Sequence, residues 1–119
     1  MKIAFSTSGE DLSAAMDRRF GRAVKFLVYD LENETFAMID NQQNLNAAQG
    51  AGIQAAETVV QSGAQALVTA HCGPKAFRVL SAAGVAVYSS DSNTVAEALE
   101  QFKAGRLHPL EQADVEGHW

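Results

Sequence analysis

Cysteine is almost missing from this chain: Cys72 is the single one in 119 residues. No internal disulfide can form, and neither a CxxC pair nor a four-ligand spacing for a closed zinc site is present. A lone thiol fits a reducing compartment, so a cytoplasmic location is expected. Long apolar runs are lacking too. Each is broken within a few residues, short of the roughly 20 that a membrane-spanning helix needs. Met1-Lys2 leads directly into a strand pattern, so no signal peptide is expected. Positive charge is in deficit, with 9 Lys and Arg against 14 Asp and Glu and a net charge of −5. Such a balance disfavours non-specific nucleic-acid binding, which depends on neutralising phosphates. Neither nucleic acid nor a membrane is an expected partner.

What remains is the composition of one globular domain, 47% hydrophobic and 19% charged. The scarce positive charge is concentrated. Arg18, Arg19, Arg22 and Lys25 fall within eight positions, while acids gather at Glu32-Asn-Glu34 and along Glu111 to Glu116. A local basic patch on an acidic protein points to a compact anionic ligand.

A second concentration of chemistry lies at Thr69-Ala-His-Cys-Gly-Pro-Lys-Ala-Phe77. It follows an apolar run, Ala64 to Ala70, that reads as a buried strand, and it leads into a helical pattern over Ala76 to Ala83. Pro74 suits a first helical position, and Gly73 lets the backbone turn beside it. The turn joins free backbone N–H groups to an imidazole (His71), a thiol (Cys72) and an ammonium (Lys75). That set suits an anion or a soft metal centre. An ordinary strand-to-helix loop with a core-facing cysteine is the plain alternative.

Elsewhere, Lys2 to Thr7 reads as a strand, Ser8 to Asp11 as a turn and Leu12 to Met16 as one helical turn. Asp17 to Ala23 reads as a polar loop anchored by Phe20. Val24 to Asp30 and Thr35 to Asp40 form a predicted hairpin across Leu31 to Glu34. Asn41 to Gln49 is polar and reads as a loop. Gly50 to Ser62 carries Ile53, Ala56 and Val60 at helical spacing. Its Gly50-Ala-Gly-Ile-Gln-Ala55 matches the letters of a dinucleotide fingerprint, but no strand pattern precedes it as that fingerprint requires. The helix after the 71–75 turn is expected to pack through Ala76, Phe77, Leu80 and Ala83, and Gly84 to cap it. Val85 to Tyr88 is a short strand. Thr94-x-x-Glu97 is a capping box for a helix with Val95, Ala98, Leu99 and Phe102 inward, ending near Gly105. The domain is expected over residues 1–107, with an acidic, loosely attached tail at 108–119.

Strands separated by helices should be parallel and adjacent through right-handed crossovers. The expected architecture is α/β: a single five-stranded mixed sheet of order 3-2-1-4-5 with helices on both faces. The chain changes direction between the first and fourth strands, and ligands collect outside the carboxyl ends at such a switch. The loops there are 6–22 and 71–75, so the arginines and the His-Cys-Gly-Pro-Lys turn are expected to share one crevice.

Three chemistries compete for that crevice. A Cys72 nucleophile assisted by His71 would be an enzyme, but neighbours at a strand end point to opposite sides and no third orienting carboxylate is evident. An RNase H-type nuclease needs paired carboxylates on the first strand to hold Mg²⁺, and Lys2 to Thr7 has none. A carrier of an anionic metal–sulfur cluster needs guanidinium and backbone N–H donors, with His71 or Cys72 free to bond a soft metal.

Lys2-Ile-Ala4, Arg19-Phe-Gly-Arg-Ala23, Gly50-Ala-Gly52, Gly73-Pro-Lys-Ala76 and Gly84-Val-Ala-Val-Tyr88 occur in that order. In these motifs, spanning about residues 1–107, the chain resembles the dinitrogenase iron–molybdenum cofactor biosynthesis family, in its NifX-like and orange-protein branch. The resemblance implies an RNase H-like α/β fold. It also implies a non-enzymatic role in binding a metal–sulfur cluster, molybdenum–copper or iron–molybdenum in type. Partners would be the inorganic cluster and another cluster-assembly or regulatory protein; a metal-free interaction module of the same fold is the alternative. Cys72 departs from the family pattern, whose residue before Gly-Pro-Lys is not usually a thiol.

The candidate cofactor-binding residues are therefore Arg18, Arg19, Arg22, Met16, His71, Cys72, Gly73 and Lys75, with His71 and Cys72 as candidate metal ligands. Each has a plain alternative: solvated arginines, a core methionine, a hydrogen-bonded loop histidine, a buried cysteine. Lys75 is disfavoured by the helix dipole in a first turn, which itself suggests a nearby anion. His108 and His118 read as incidental, and Trp119 as a contact group.

Overall fold

Strand and helix patterns alternate through the second half of the chain, and a helix that returns the chain before each new strand imposes parallel pairing. The computed structural model describes residues 1–41 and 51–111. The chain runs β1 (Lys2–Thr7), β2 (Lys25–Asp30), β3 (Thr35–Asp40), α1 (Ala51–Gln61), β4 (Ala66–Thr69), α2 (Pro74–Ala82), β5 (Ala86–Ser89) and α3 (Val95–Lys103). A single 3-10 turn, Phe20–Arg22, lies between β1 and β2. The five strands form one sheet in the order β3-β2-β1-β4-β5, as expected. β1 is antiparallel to β2 and parallel to β4, and β4 is parallel to β5.

Alternation along the strands sorts side chains onto two faces. Ala4, Phe26, Val28, Leu67 and Val87 join Ala55, Val59, Ala76 and Leu80 in a core beneath α1 and α2. Ile3, Phe5, Leu27, Tyr29, Ala66 and Val68 join Val95, Ala98 and Leu99 beneath α3. β1, clamped between two strands and two helical layers, is buried from Ile3 to Thr7. This is why it reads as an unbroken apolar run.

The helix ends follow their residues. The Thr94 hydroxyl accepts a hydrogen bond from the Glu97 N–H at 3.2 Å, while Glu97 Oε2 accepts from the Asn93 N–H at 3.3 Å. Gly84 follows α2 at φ +81°, a left-handed conformation that suits glycine. No described helix is long and apolar enough to cross a membrane.

Four expectations need correction. Leu12 to Met16 is not a helical turn. The Ala14 N–H donates to the Asp11 carbonyl in a tight turn, and Ala15 and Met16 then run extended, bridging Thr94 and Thr7. Gly9 packs so closely on Ala14 that a Cβ there would overlap it, which fixes this path. Ala83 does not pack inward; it is the exposed cap of α2. The predicted tail is anchored at its start, because Pro109 bridges Tyr88 and the Leu110 N–H donates to the Val87 carbonyl at 2.7 Å. The strands after α1 and α2 are also shorter than their apolar runs, at Ala66–Thr69 and Ala86–Ser89. The polar loop of 42–49, the residue Gly50 and the strand test for the dinucleotide fingerprint lie outside the described residues. So do His118 and Trp119.

The β2–β3 hairpin turns on Asp30. Its carboxylate accepts hydrogen bonds from the N–H groups of Glu32 and Asn33 at 2.9 and 3.3 Å, and from Asn33 Nδ2 at 3.0 Å. These bonds, that of the Asn33 N–H foremost, hold its carboxyl below the ordinary 3.8. A lowered folded value adds stability above 3.8 that is lost as pH falls through it. Asp30→Ala should therefore lower the urea midpoint at neutral pH, and the gap to the parent should close in strong acid. Glu34 closes the same turn at φ 55°. Glu34→Gly should raise stability by up to about 1 kcal/mol, read by urea denaturation, since glycine carries no left-handed penalty.

Candidate functional site

Parallel β1 and β4 end level at one rim, and the chain leaves them in different directions. Ser6 and Thr69, both buried, share a hydroxyl–hydroxyl hydrogen bond of 2.8 Å across these two strand ends. Ser6 Oγ also donates to the Asp17 carbonyl at 2.8 Å, and the Asp17 N–H donates to the Ser6 carbonyl at 2.9 Å. The loop leaving β1 is thus stitched back onto the strand end it left.

From Asp17 the loop is shaped residue by residue. The Asp17 carboxylate accepts the Arg19 N–H at 3.0 Å, a local Asx-type bond that turns the backbone. Phe20 then enters the α1–α2 core, fully buried, with its ring 5.3 Å from that of Phe26. The 3-10 turn closes as the Arg22 N–H donates to the Arg19 carbonyl and the Ala23 N–H to the Phe20 carbonyl, each at 3.3 Å. Arg19 meanwhile forms a parallel backbone bridge with His71. The arginine loop and the turn at 71–75, far apart in sequence, lie side by side.

The rim is positive for backbone reasons as well. α2 and α3 both begin here, because each follows the carboxyl end of a parallel strand. α2 opens with Pro74 after Gly73, which has no side chain to cap the first turn. The positive end of the helix dipole therefore faces the rim beside Lys75.

Arg18, Arg19, His71 and Lys75 are exposed, and Arg22 is half-buried. No described carboxylate forms an ion pair with Arg18, Arg19 or Lys75. Lys25 differs from its neighbours in the basic cluster. Its ammonium sits 2.8 Å from Glu10 Oε1, and that contact holds the Glu10 carboxyl below its usual range. The remaining loop acid, Asp11, accepts from the Ser13 hydroxyl at 2.6 Å and the Ser13 N–H at 2.9 Å.

Two candidates sit apart from the exposed group. Met16 is 8% exposed and packs beneath α3, on the opposite face of the sheet from Phe20. Cys72 is fully buried in the α1–α2 core, and its Sγ lies 3.7 Å from the Gly73 carbonyl. His71 and Cys72, one exposed and one buried, are not a nucleophile–base pair. Among the described residues no three of His, Cys, Asp or Glu gather to hold a metal ion.

Sequence reasoning missed the parts that hold the rim together: the Ser6–Thr69 hydroxyl pair, the Asp17 carboxylate and the Glu10–Lys25 pair. Asp17 two residues before Arg19 was a readable Asx signal. The other two pairs join distant segments and leave no local trace.

The sequence profile of the family described as dinitrogenase iron-molybdenum cofactor matches residues 1–105. An uncharacterized protein of Methanocaldococcus jannaschii is 30% identical over 114 residues, covering 93% of this chain and 92% of that one. The apo form of the orange protein from Desulfovibrio gigas superposes with a TM-score of 0.93 at 36% identity, over 96% of both chains. The NMR structure of a Thermotoga protein named as a candidate NifB gives 0.84 at 35% identity, over 98% of both.

Phe20 is the apolar anchor of the arginine loop. Phe20→Ala should cost about 3–5 kcal/mol in urea denaturation, the usual range for emptying a buried aromatic site.

Proposed function

This chain belongs to the dinitrogenase iron–molybdenum cofactor family, and from that premise we propose that it binds and carries an anionic metal–sulfur cluster without catalysing a reaction. The observation that supports this reading is the Arg19–His71 backbone bridge, which sets the arginine loop against the α2 N-terminus at the carboxyl rim of the sheet. A cluster of the molybdenum–copper or iron–molybdenum sulfide type is negatively charged and presents sulfide acceptors around its surface. Guanidinium groups of Arg18, Arg19 and Arg22, the Lys75 ammonium and the first-turn N–H groups after Gly73 are matching donors.

Direct metal bonding is a separate matter. His71 is exposed at the rim and its imidazole suits a soft or borderline metal. Cys72 would reach a bound cluster only if the 71–75 turn opened, since its side chain is sealed in the core. Met16 likewise serves as packing under this reading. An RNase H-like fold is part of the same reading, and β1 carries no carboxylate with which such a fold would hold Mg²⁺. A cytoplasmic place of action belongs to the same reading.

The test is reconstitution with tetrathiomolybdate and copper, followed by charge-transfer absorption and metal analysis of the desalted protein. The parent should take up metal in fixed stoichiometry. Arg19→Glu combined with Arg22→Glu should weaken uptake about tenfold or more, while circular dichroism and the thermal midpoint show an intact fold. Lys75→Glu, on the other segment, should act in the same direction. Unchanged uptake in both variants would sink the electrostatic cradle. A parent that takes up no metal would instead be a metal-free interaction module of the same fold.

A further inference from the structure

A cradle for an anion has no evident use for a carboxylate, yet Asp17 stands directly before Arg18 and Arg19. The other described acids of this loop are held by side chains: Glu10 lies 2.8 Å from the Lys25 ammonium, and Asp11 accepts the Ser13 hydroxyl at 2.6 Å. Asp17 differs. Its Oδ1 accepts the backbone N–H of Arg19 at 3.0 Å, and no described ammonium or guanidinium group forms an ion pair with it. The carboxylate therefore leaves the arginine charges unneutralised and acts on the backbone that carries them.

The backbone of Asp17 is itself fixed. Its N–H donates to the Ser6 carbonyl at 2.9 Å, and its carbonyl accepts the Ser6 hydroxyl at 2.8 Å. Ser6 has one hydroxyl proton and gives it to Asp17, so Thr69 is the donor in the 2.8 Å hydroxyl pair. The polar chain runs one way, from Thr69 on β4 through Ser6 on β1 to Asp17. On the far side, Arg19 bridges His71 through its backbone, and its carbonyl accepts the Arg22 N–H. Arg18 thus lies between two anchored residues, and the Asp17 carboxylate is the bond that spans it.

Two opposing effects meet in this one side chain. Its charge lies next to the guanidinium-bearing positions, well within a Debye length of anything they hold, and repels an anion. Its hydrogen bond pre-sets the loop, which reduces the ordering that binding must impose. We propose that Asp17 is a positioning residue of the cradle: its carboxyl oxygen favours cluster binding by holding the arginine loop, while its charge opposes it. This inference rests on the carrier reading above. Substitution separates the two effects. Asparagine keeps the acceptor without the charge, alanine has neither, and glutamate keeps the charge on a side chain too long for the local turn.

The experiment titrates the full-length parent and the three variants with tetrathiomolybdate and copper, read by charge-transfer absorption at low and high salt. Asp17→Asn should bind about two- to threefold more tightly than the parent, a gain that shrinks as salt is raised. Asp17→Ala should bind about fivefold more weakly than Asp17→Asn, in line with one hydrogen bond, and salt should not remove that difference because both are neutral. Asp17→Glu should bind about fivefold more weakly than the parent. Without ligand, the Arg19 amide proton resonance should keep its parent position in Asp17→Asn and move upfield in Asp17→Ala and Asp17→Glu. Equal binding by Asp17→Asn and Asp17→Ala, with the parent still loading, would overturn the positioning role and leave the carrier reading standing. Weaker binding by Asp17→Asn than by the parent would overturn it too, since the charge would then be favourable. A parent that takes up no thiometalate would overturn the carrier reading, and this inference with it. If circular dichroism shows Asp17→Ala poorly folded, the asparagine and glutamate comparisons with the parent decide.

Discussion

The rim of this protein depends on β1 and β4 ending side by side, and that alignment is held by polar groups inside an otherwise apolar sheet. Ser6 and Thr69 are buried and hydrogen-bond to one another, while Ser6 also donates to the Asp17 carbonyl. A buried hydroxyl left unpaired costs about 1–3 kcal/mol. Neither strand end can slide without exposing that cost, so the register is fixed where the chain diverges. The arginine loop then hangs from Asp17, is pinned by Phe20 and meets His71 through its backbone. Local sequence signals shape each segment; their meeting is a property of the parallel pairing.

How much of this was legible in the sequence follows from the range of the interactions involved. The sheet order could be read because alternating strands and helices leave few right-handed arrangements. Phe20 as an anchor and the Thr94–Glu97 cap are local patterns, and both appear in the structure. Leu12 to Met16 misled because its spacing resembles one helical turn, while the close approach of Gly9 to Ala14 and the bridges to Thr7 and Thr94 impose an extended exit. Ala83 misled because an apolar residue at helical spacing was counted inward, although Gly84 ends the helix there. Lys25 was counted in the basic patch by proximity in sequence. Its partner, Glu10, lies on a loop whose path no local pattern reveals.

Placement of charge matters more here than its total. The chain is acidic overall at −5, yet the described acids of the arginine loop are engaged locally: Glu10 by Lys25, Asp11 by Ser13, Asp17 by the Arg19 N–H. Others stand on the hairpin beside β3 and on α3.

The same geometry bears on whether a bound cluster would be held or handed on. Exposed arginine and lysine contacts are individually weak because water screens them, and several together give an affinity that responds to competing ligands. A thiolate bond would be far more persistent, yet Cys72 faces the core, where a free cysteine behaves as a small hydrophobe. His71, the neighbouring residue, faces outward because successive side chains at a strand end alternate. Among the described residues of the rim, one imidazole is thus presented alongside a set of exposed charges. On the proposed reading, that balance suits a carrier, which must release its cargo, better than a storage site that must retain it.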